Sequence, residues 1–306
     1  MKLSIVSTLY RSGPYLRSFY ERASAAALRL TPDYEFVFVV DGCPDDSLSK
    51  ALALHKEDPR IIVVDLSRNF GHHRAMMVGL NQAQGDLIFL IDCDLEEEPE
   101  WLHPFHEKLL QGPVDVVYGV QSARKGDWFE RCSGAIFYSL FNLFSSIRLV
   151  PNAVTARLMT RRYVRSLLTH RERELFIPGV WQITGYRQVS VPITKHAKGS
   201  STYSFAKKIA LLVNAITSFS DRPLVYIFYT GGLISFAAAL YILKLLFLAF
   251  YFNIPVPGWA SLIVSVWFLG GLTIFFIGVL GLYLSKIYIE SKDRPYGIIR
   301  DLYGRD

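Results

Sequence analysis

The sequence predicts an α/β protein with a mostly parallel sheet, followed by a C-terminal hairpin of two transmembrane helices. Three observations predict it. Over the first ~120 residues short apolar runs alternate with helical patterns, the signature of βαβ units with helices on both faces of a sheet. The polar residues that stand out follow those apolar runs, and in such sheets ligands bind at the carboxyl ends of the strands. Between Pro223 and Ser285 the one formal charge is Lys244, whereas the first 222 residues carry charges throughout.

In chain order, "KLSIVSTLY" reads as a strand and "YLRSFYERASAAALRL" as a helix, "YEFVFVVDG" as a strand and "DSLSKALALHKE" as a helix. "RIIVVDLS" is the third strand, "HHRAMMVGLNQAQ" the third helix, "DLIFLIDCD" the fourth strand and "EWLHPFHEKLLQ" the fourth helix, before "VDVVYGVQ". Asp41 ends the second strand, Arg68 and Asn69 follow the third, and Asp92 with Asp94 ends the fourth, so one crevice is expected to collect them. No G-x-G-x-x-G follows the first strand and no G-x-x-x-x-G-K-[ST] occurs, so neither a dinucleotide fold nor a P-loop is supported.

From about residue 121 the pattern loosens. "DWFERCSGAIFYSLFNLFSSIRLV" and "YSFAKKIALLVNAITSFS" (203–220) are amphipathic, and at least one is expected to lie at a membrane interface. The runs 224–252 and 259–285 each exceed the roughly 20 apolar residues that cross a bilayer. The short uncharged link "NIPVPG" makes them a hairpin, with both termini on the side that carries nearly all the Lys and Arg, the cytoplasm by the positive-inside tendency. The domains expected are a catalytic part (1–202), a juxtamembrane helix (203–222), two spans (223–289) and a cytoplasmic tail (290–306) of an inner-membrane, multi-pass protein. Lys244 is expected to snorkel to the far headgroups, and Cys43, Cys93 and Cys132, without metal-like spacing, to be reduced thiols.

Against a formal net charge of +6, "DCDLEEEPE" (92–100) gathers six carboxylates. If the strand continues, Asp92, Asp94 and Glu96 share one side, and hard oxygen ligands of that kind suit Mg²⁺ or Mn²⁺ beside a diphosphate. An EF-hand is excluded, because its glycine and final acidic positions fall on Glu97 and His103. Glu97, Glu98 and Glu100 are expected to begin a helix in solvent, where negative charge favours the helix N-terminus.

The stretch "SRNFGHHRAMMVGLNQAQGDLIFLIDCDLEEEPE" resembles the core of family 2 glycosyltransferases with the glycosyltransferase-A fold, in particular the polyprenyl-phosphate branch that includes dolichyl-phosphate mannose synthases and bactoprenol glucosyltransferases. That branch typically shows S-R-N-F-G-K, then G-D, then D-A-D-L-Q-D-P-P-E. The resemblance continues through "DVVYGVQSARKG", "RLMTRR", "ITSFSDRPL" and "RPYGII". It implies metal ligation by Asp92, Asp94 and Glu96, and nucleotide binding by Thr8, Leu9, Tyr10, Asp41, Arg68, Gly71 and Asp92. It also implies catalytic roles for Asp92, Asp94, Arg124 and Arg157, and an acceptor-phosphate site of Arg124, Arg131, Lys195, Lys198 and Ser201. Ser12 and Val40 stand where the branch usually has carboxylates, and Thr155 stands in place of an aspartate.

The resemblance implies transfer of a sugar from a nucleotide-diphosphate sugar to a polyprenyl phosphate, metal-dependent and inverting, in cell-surface glycan synthesis. The partners expected are donor, acceptor and lipid bilayer, with no nucleic acid and with a homo-oligomer left open. Two alternatives are transfer to a hydroxyl of a lipid-linked glycan, which needs a carboxylate base such as Asp127, Glu130, Glu172 or Glu174, and a catalytically silent anchor subunit.

Overall fold

The strands β1 (Leu3–Leu9), β2 (Tyr34–Val40), β3 (Ile61–Leu66) and β4 (Leu87–Leu90) are buried almost residue for residue, which is why each reads as an unbroken apolar run. In the computed structural model, which describes residues 1–121, 149–173, 175–194, 220–252 and 258–305 with isolated positions at 139, 142–143, 213 and 216–217, they form the parallel centre of a sheet. β1 lies between β2 and β4, and β3 lies beyond β2. The helices α1 (Leu16–Leu30), α2 (Ser47–Glu57), α3 (His72–Gln82) and α4 (Leu102–Leu110) follow in the expected order. α1 buries Leu16, Phe19, Ala23, Ala26 and Ala27, one helical stripe, into a core that also holds Phe36, Phe38, Phe89 and Phe105. α3 packs close to the sheet because residue 79 is glycine: a Cβ there would lie 2.7 Å from Val6 Cγ1.

Beyond β4 the topology departs from a simple parallel series. β5 (Val116–Gln121) does not neighbour β4, because β6 (Ala153–Thr160) inserts between them, antiparallel to both. The helices α5 (Arg161–Leu167) and α6 (Ile177–Ile183) lead to β7 (Gln188–Ile193), parallel to β5. The tail also returns to the sheet. β8 (Ile299–Tyr303) runs antiparallel to β3, so among the described residues the order is β7-β5-β6-β4-β1-β2-β3-β8. The Nε of Arg300 donates to Oδ2 of buried Asp65 at 2.8 Å, which fastens this edge strand.

At the opposite strand ends the buried carboxylate of Glu35 accepts from Ser4 Oγ (2.6 Å) and from the Gln84 N–H (2.6 Å), and pairs with Lys2 Nζ (2.7 Å). Burial alone would raise its pKa, but these donors outweigh burial and hold it below the usual carboxylate value. A depressed carboxyl contributes stability that is complete above its unfolded pKa and lost as pH falls through the folded one. Glu35→Gln is therefore expected to lower stability by about 2 kcal/mol near neutral pH. Part of the fall in thermal midpoint as pH drops below about 5 should vanish with it, read by intrinsic fluorescence of the full chain.

Two compact units divide the chain, Met1–Ser139 with Ile147–Ser204 and Asp293–Asp306, and Leu140–Ser146 with Phe205–Lys292. The second contains α7 (Arg222–Phe252) and α8 (Trp259–Ser291), and Tyr283 of α8 donates its hydroxyl to the carbonyl of Ser220 just before α7, at 2.7 Å. Within α8, Ser265–Ser291 is long and apolar enough to cross a membrane by length and composition, and none of that stretch is buried inside the protein. Asp293 in the left-handed region and Pro295 then stop the helix. The two amphipathic stretches expected at 127–150 and 203–220 lie almost wholly outside the described residues, as does Cys132. Cys43 and Cys93 are free thiols, and burial pushes the Cys93 pKa up to about 12, which leaves it protonated and inert.

Candidate active site

The carboxyl ends of β1 to β4 and the segments that follow them build one edge of the site. Thr8 Oγ1 and His72 Nδ1 are 2.9 Å apart, and His72 Nε2 lies 3.4 Å from Asp92 Oδ1, so His72 ties the end of β1 to the acidic segment after β4. Asp41 organises the loop after β3. Its carboxylate accepts from the N–H groups of Phe70 (2.7 Å) and Gly71 (3.0 Å), and its carbonyl accepts from Asn69 Nδ2 (3.1 Å). The two loops touch only because residue 42 is glycine at φ +57°: a Cβ would sit 2.2 Å from the Asn69 nitrogen. Arg68 is exposed on this loop and packs its guanidinium on Phe70, while Gly71 opens α3.

Leu9 is fully buried and its carbonyl is taken up by the Asp41 N–H and the Cys43 thiol, each at 3.0 Å, so its side chain is core. Tyr10 is exposed at the rim beside Arg11.

The acidic segment is folded differently from an extended row. β4 stops at Leu90, Asp94 Oδ1 accepts from the Glu96 N–H at 3.0 Å, and Leu95 takes φ 63°, so residues 94–96 form a tight turn. Asp92, Asp94 and Glu96 do not converge on one point. Among the described residues no group of three His, Cys, Asp or Glu is placed to hold an ion. Nor do the remaining acids stand together in solvent. Glu97 is 1% exposed and accepts from the Thr155 N–H at 3.0 Å, while Glu100 makes a bidentate pair with Arg22 (2.9 and 2.7 Å). Glu97 is buried because β6 passes directly over it, which no local pattern announces.

β6 delivers Arg157. Paired with Leu90 on one side and Tyr118 on the other, Arg157 is 2% exposed, donates from Nε to the Thr155 carbonyl (3.1 Å) and from Nη2 to the Val154 carbonyl (3.2 Å), and lays its guanidinium on the ring of Trp181. Burial pushes its pKa down to about 9, against the fields of Tyr163, Glu97, Tyr118 and Asp92, so it remains a cation at neutral pH. It lines a cavity of about 250 Å³ with His72, His73, Tyr118, Thr155 and Trp181. His73 is kept neutral by burial, its pKa lowered, so Arg157 is the fixed charge of that wall.

A family profile described as "Glycosyl transferase family 2" matches residues 4–168, more than half of the chain. The chain belongs to glycosyl transferase family 2. Relatives extend over its whole length. A Mycobacterium tuberculosis (strain CDC 1551 / Oshkosh) protein that carries a glycosyltransferase name is 52% identical over 309 residues, covering 100% of this chain and 90% of its own. The "Bactoprenol glucosyl transferase" of Shigella phage SfV is 34% identical over 304 residues, covering 98% and 99%. Among solved structures, mannosyl-3-phosphoglycerate synthase from Rubrobacter xylanophilus superposes with a TM-score of 0.50 at 15% identity, over 71% of this chain and 73% of that one, a likeness of fold alone. The glycosyltransferase-A fold and the enzyme class expected from the motifs both stand.

In this family 2 glycosyltransferase the departures acquire structural meaning. Val40 is sealed in the core of β2, and Ser12 serves the fold: its hydroxyl accepts from the Tyr10 N–H (3.1 Å) and its N–H donates to Ser47 Oγ (2.9 Å). At Thr155 the branch's aspartate is absent, yet the buried Glu97 carboxylate binds that backbone from behind. For a divalent ion the fit is partial, two neighbouring carboxylates without a third ligand among the described residues. Asp92 keeps 24% of its side chain exposed beside Asp94, and Mg²⁺ commonly takes one or two carboxylates and fills its shell with water and substrate phosphates. Arg124, Arg131, Lys195, Lys198 and Ser201, the acceptor-phosphate set, lie outside the described residues, as do the alternative bases Asp127, Glu130 and Glu174. His72, Tyr118 and Trp181 line the cavity without having been among the residues that the motifs pointed to. Only His72 carried a signal, since it stands where the branch's S-R-N-F-G-K motif has lysine.

Proposed function

We propose that the chain moves a sugar from a nucleotide-diphosphate sugar onto a polyprenyl phosphate at a membrane surface, with inversion at the anomeric carbon. The observation that carries this is the cavity itself: a fully buried guanidinium, Arg157, faces a space whose near wall, His72, is paired to Asp92. Full-length similarity to bactoprenol glucosyl transferases supports the lipid acceptor. Asp92 and Asp94 would hold Mg²⁺ or Mn²⁺, with Glu96 in the turn beside them, and the ion would supply Lewis-acid stabilisation of the departing diphosphate.

Thr8, His72 and the loop held by Asp41 position the donor, with Arg68 at the rim. Arg157 supplies positive charge where negative charge collects between the two phosphate groups. An acceptor phosphate oxygen forms the new bond to the anomeric carbon as the bond to the diphosphate breaks and the nucleoside diphosphate leaves. With a second pKa near 6, such a phosphate is largely dianionic at neutral pH and needs no general base, which suits a threonine at 155. Arg124, Arg131, Lys195, Lys198 and Ser201 are proposed to hold that phosphate.

Both α7 and α8 are proposed to span the membrane, with the catalytic unit on the cytoplasmic side. Phe228, Tyr229, Leu233 and Phe236 on α7 and Trp259, Trp267 and Ile274 on α8 are all more than 60% exposed, a surface that belongs in lipid. The test is incubation of membranes containing the chain with labelled nucleotide sugars, Mn²⁺ and polyprenyl phosphate, followed by lipid extraction. Label is expected in the lipid phase for one donor and is abolished by a chelator; absence of lipid label with every donor overturns the reading.

A further inference from the structure

The chain that follows α8 turns back onto the catalytic unit at Asp293 and, before β8 begins, fastens to the connection between α5 and α6. Tyr296 donates its hydroxyl to the carbonyl of His170 at 2.7 Å. The Asp293 carboxylate pairs with the guanidinium of Arg173, a side chain only 11% exposed, whose guanidinium lies 5.8 Å from the centre of the Tyr296 ring. Solid packing does not account for these contacts, since the tail, α3 and the chain after α5 leave a cavity of about 410 Å³, lined in part by Met77, Asn81, Leu168 and Tyr296. The tail is a strap held by point fastenings. The connection that it grips also holds the cavity beside Arg157. The Arg173 carbonyl accepts from Arg74 Nη2 at 2.8 Å, and the Leu175 carbonyl, which can only accept, takes the Nδ1–H of His73 at 3.3 Å. The His73 ring stands edge-on to Phe176, centroids 6.5 Å apart, and both residues line the cavity. Phe176 opens α6, whose Trp181 packs on the Arg157 guanidinium.

We propose that Tyr296 and Asp293 are positioning residues for glycosyl transfer: by holding the connection between α5 and α6 they keep the His73–Phe176 wall and the Trp181–Arg157 stack in place. The chain directly after α8 thereby sets the rate of a site that it does not touch. The inference rests on the glycosyl-transfer reading above. Its physical basis is that α5 and α6 are seven residues each, and helices so short owe their placement to tertiary contacts rather than to their own hydrogen bonds. Arg157 is fixed by its own strand and by the Val154 and Thr155 carbonyls, whereas its stacking partner Trp181 is reached only through the strapped connection. A displacement of about 1 Å in groups that orient a substrate can cost about 10²-fold in rate, so a loosened strap is expected to be felt in the chemistry.

The test combines transfer by the full chain in membranes, with the nucleotide sugar that labels lipid, and amide hydrogen exchange of the full chain. Tyr296→Phe keeps the ring beside Arg173 and removes only the hydroxyl. Asp293→Asn removes the charge and still suits the left-handed backbone at φ 44°. Tyr296→Phe is expected to speed exchange in the connection between α5 and α6 and to lower kcat/KM for the donor about threefold to tenfold, and the double variant about tenfold or more, with β1 to β4 exchanging as before. Glu35→Gln weakens the opposite end of the sheet without touching the connection, so it is expected to lower the thermal midpoint and to leave kcat/KM within about twofold. A double variant within about twofold of the unaltered protein overturns the inference, as does slowed transfer with unchanged exchange in the connection, or equal slowing by Glu35→Gln. Absence of transfer by the unaltered protein with every donor would instead overturn the glycosyl-transfer reading, and the inference with it.

Discussion

Asp94→Ala is expected to remove transfer of label to lipid while leaving the fold intact. Asp94 lies in a turn after β4 rather than in the core, and its Oδ1 accepts from the Glu96 N–H at 3.0 Å. Asp94→Asn retains an oxygen acceptor for that bond and loses the charge, so the two variants separate the turn from the electrostatics. Both are expected to lower initial rates by about 10²–10³, the scale lost when a group that stabilises developing charge is removed. Both should also raise the Mn²⁺ concentration needed for half-maximal transfer. Wild-type rates in Asp94→Asn would show that the charge is dispensable and would end the metal assignment. Asp92→Asn has a second consequence, since it also removes the carboxylate that pairs with His72.

Arg157 is the second position of large effect, and here stability and activity are expected to part. Truncation to alanine empties a fully buried site, strips partners from the Val154 and Thr155 carbonyls and removes the cation acting on Glu97 and Asp92. A loss of about 3–5 kcal/mol follows from breaking such a buried charged cluster. Arg157→Met fills most of the volume without charge, and replacing a buried ion by an apolar chain is often tolerated. That variant is expected to remain folded by thermal unfolding and yet lose about 10²-fold in transfer. Lysine is not a rescue, because one ammonium cannot make both backbone bonds and stack on Trp181. A fully active Arg157→Met would remove Arg157 from the chemistry and leave it a packing residue.

Four strands and four helices of the catalytic unit were legible because their signals are local. β1 to β4 are buried on both faces and read as apolar runs, and α1 shows its stripe at helical spacing. Asp41, Arg68, Asp92 and Asp94 were placed at strand ends by the same reading, and the motif order was enough to indicate the family. The apolar length of Ser265–Ser291 likewise needs no tertiary information.

What the tertiary structure decided are the contacts between residues distant in sequence. β6 is half-buried at its start, so it carries no continuous apolar signal, and only its pairing with β4 and β5 brings Arg157 beneath the site. β8 is largely exposed and becomes a strand because the open edge of β3 and the buried Asp65 carboxylate accept it. Glu97 looked like one more solvated acid until β6 covered it, and His72 looked like a helix start until β1 and the acidic turn closed on its two ring nitrogens. Sequence by itself determined the elements and the acidic pair, since periodicity and strand ends are properties of neighbouring residues. Which charges are buried, and which of them face one another across the cavity, was decided by strand order, a property of the whole chain.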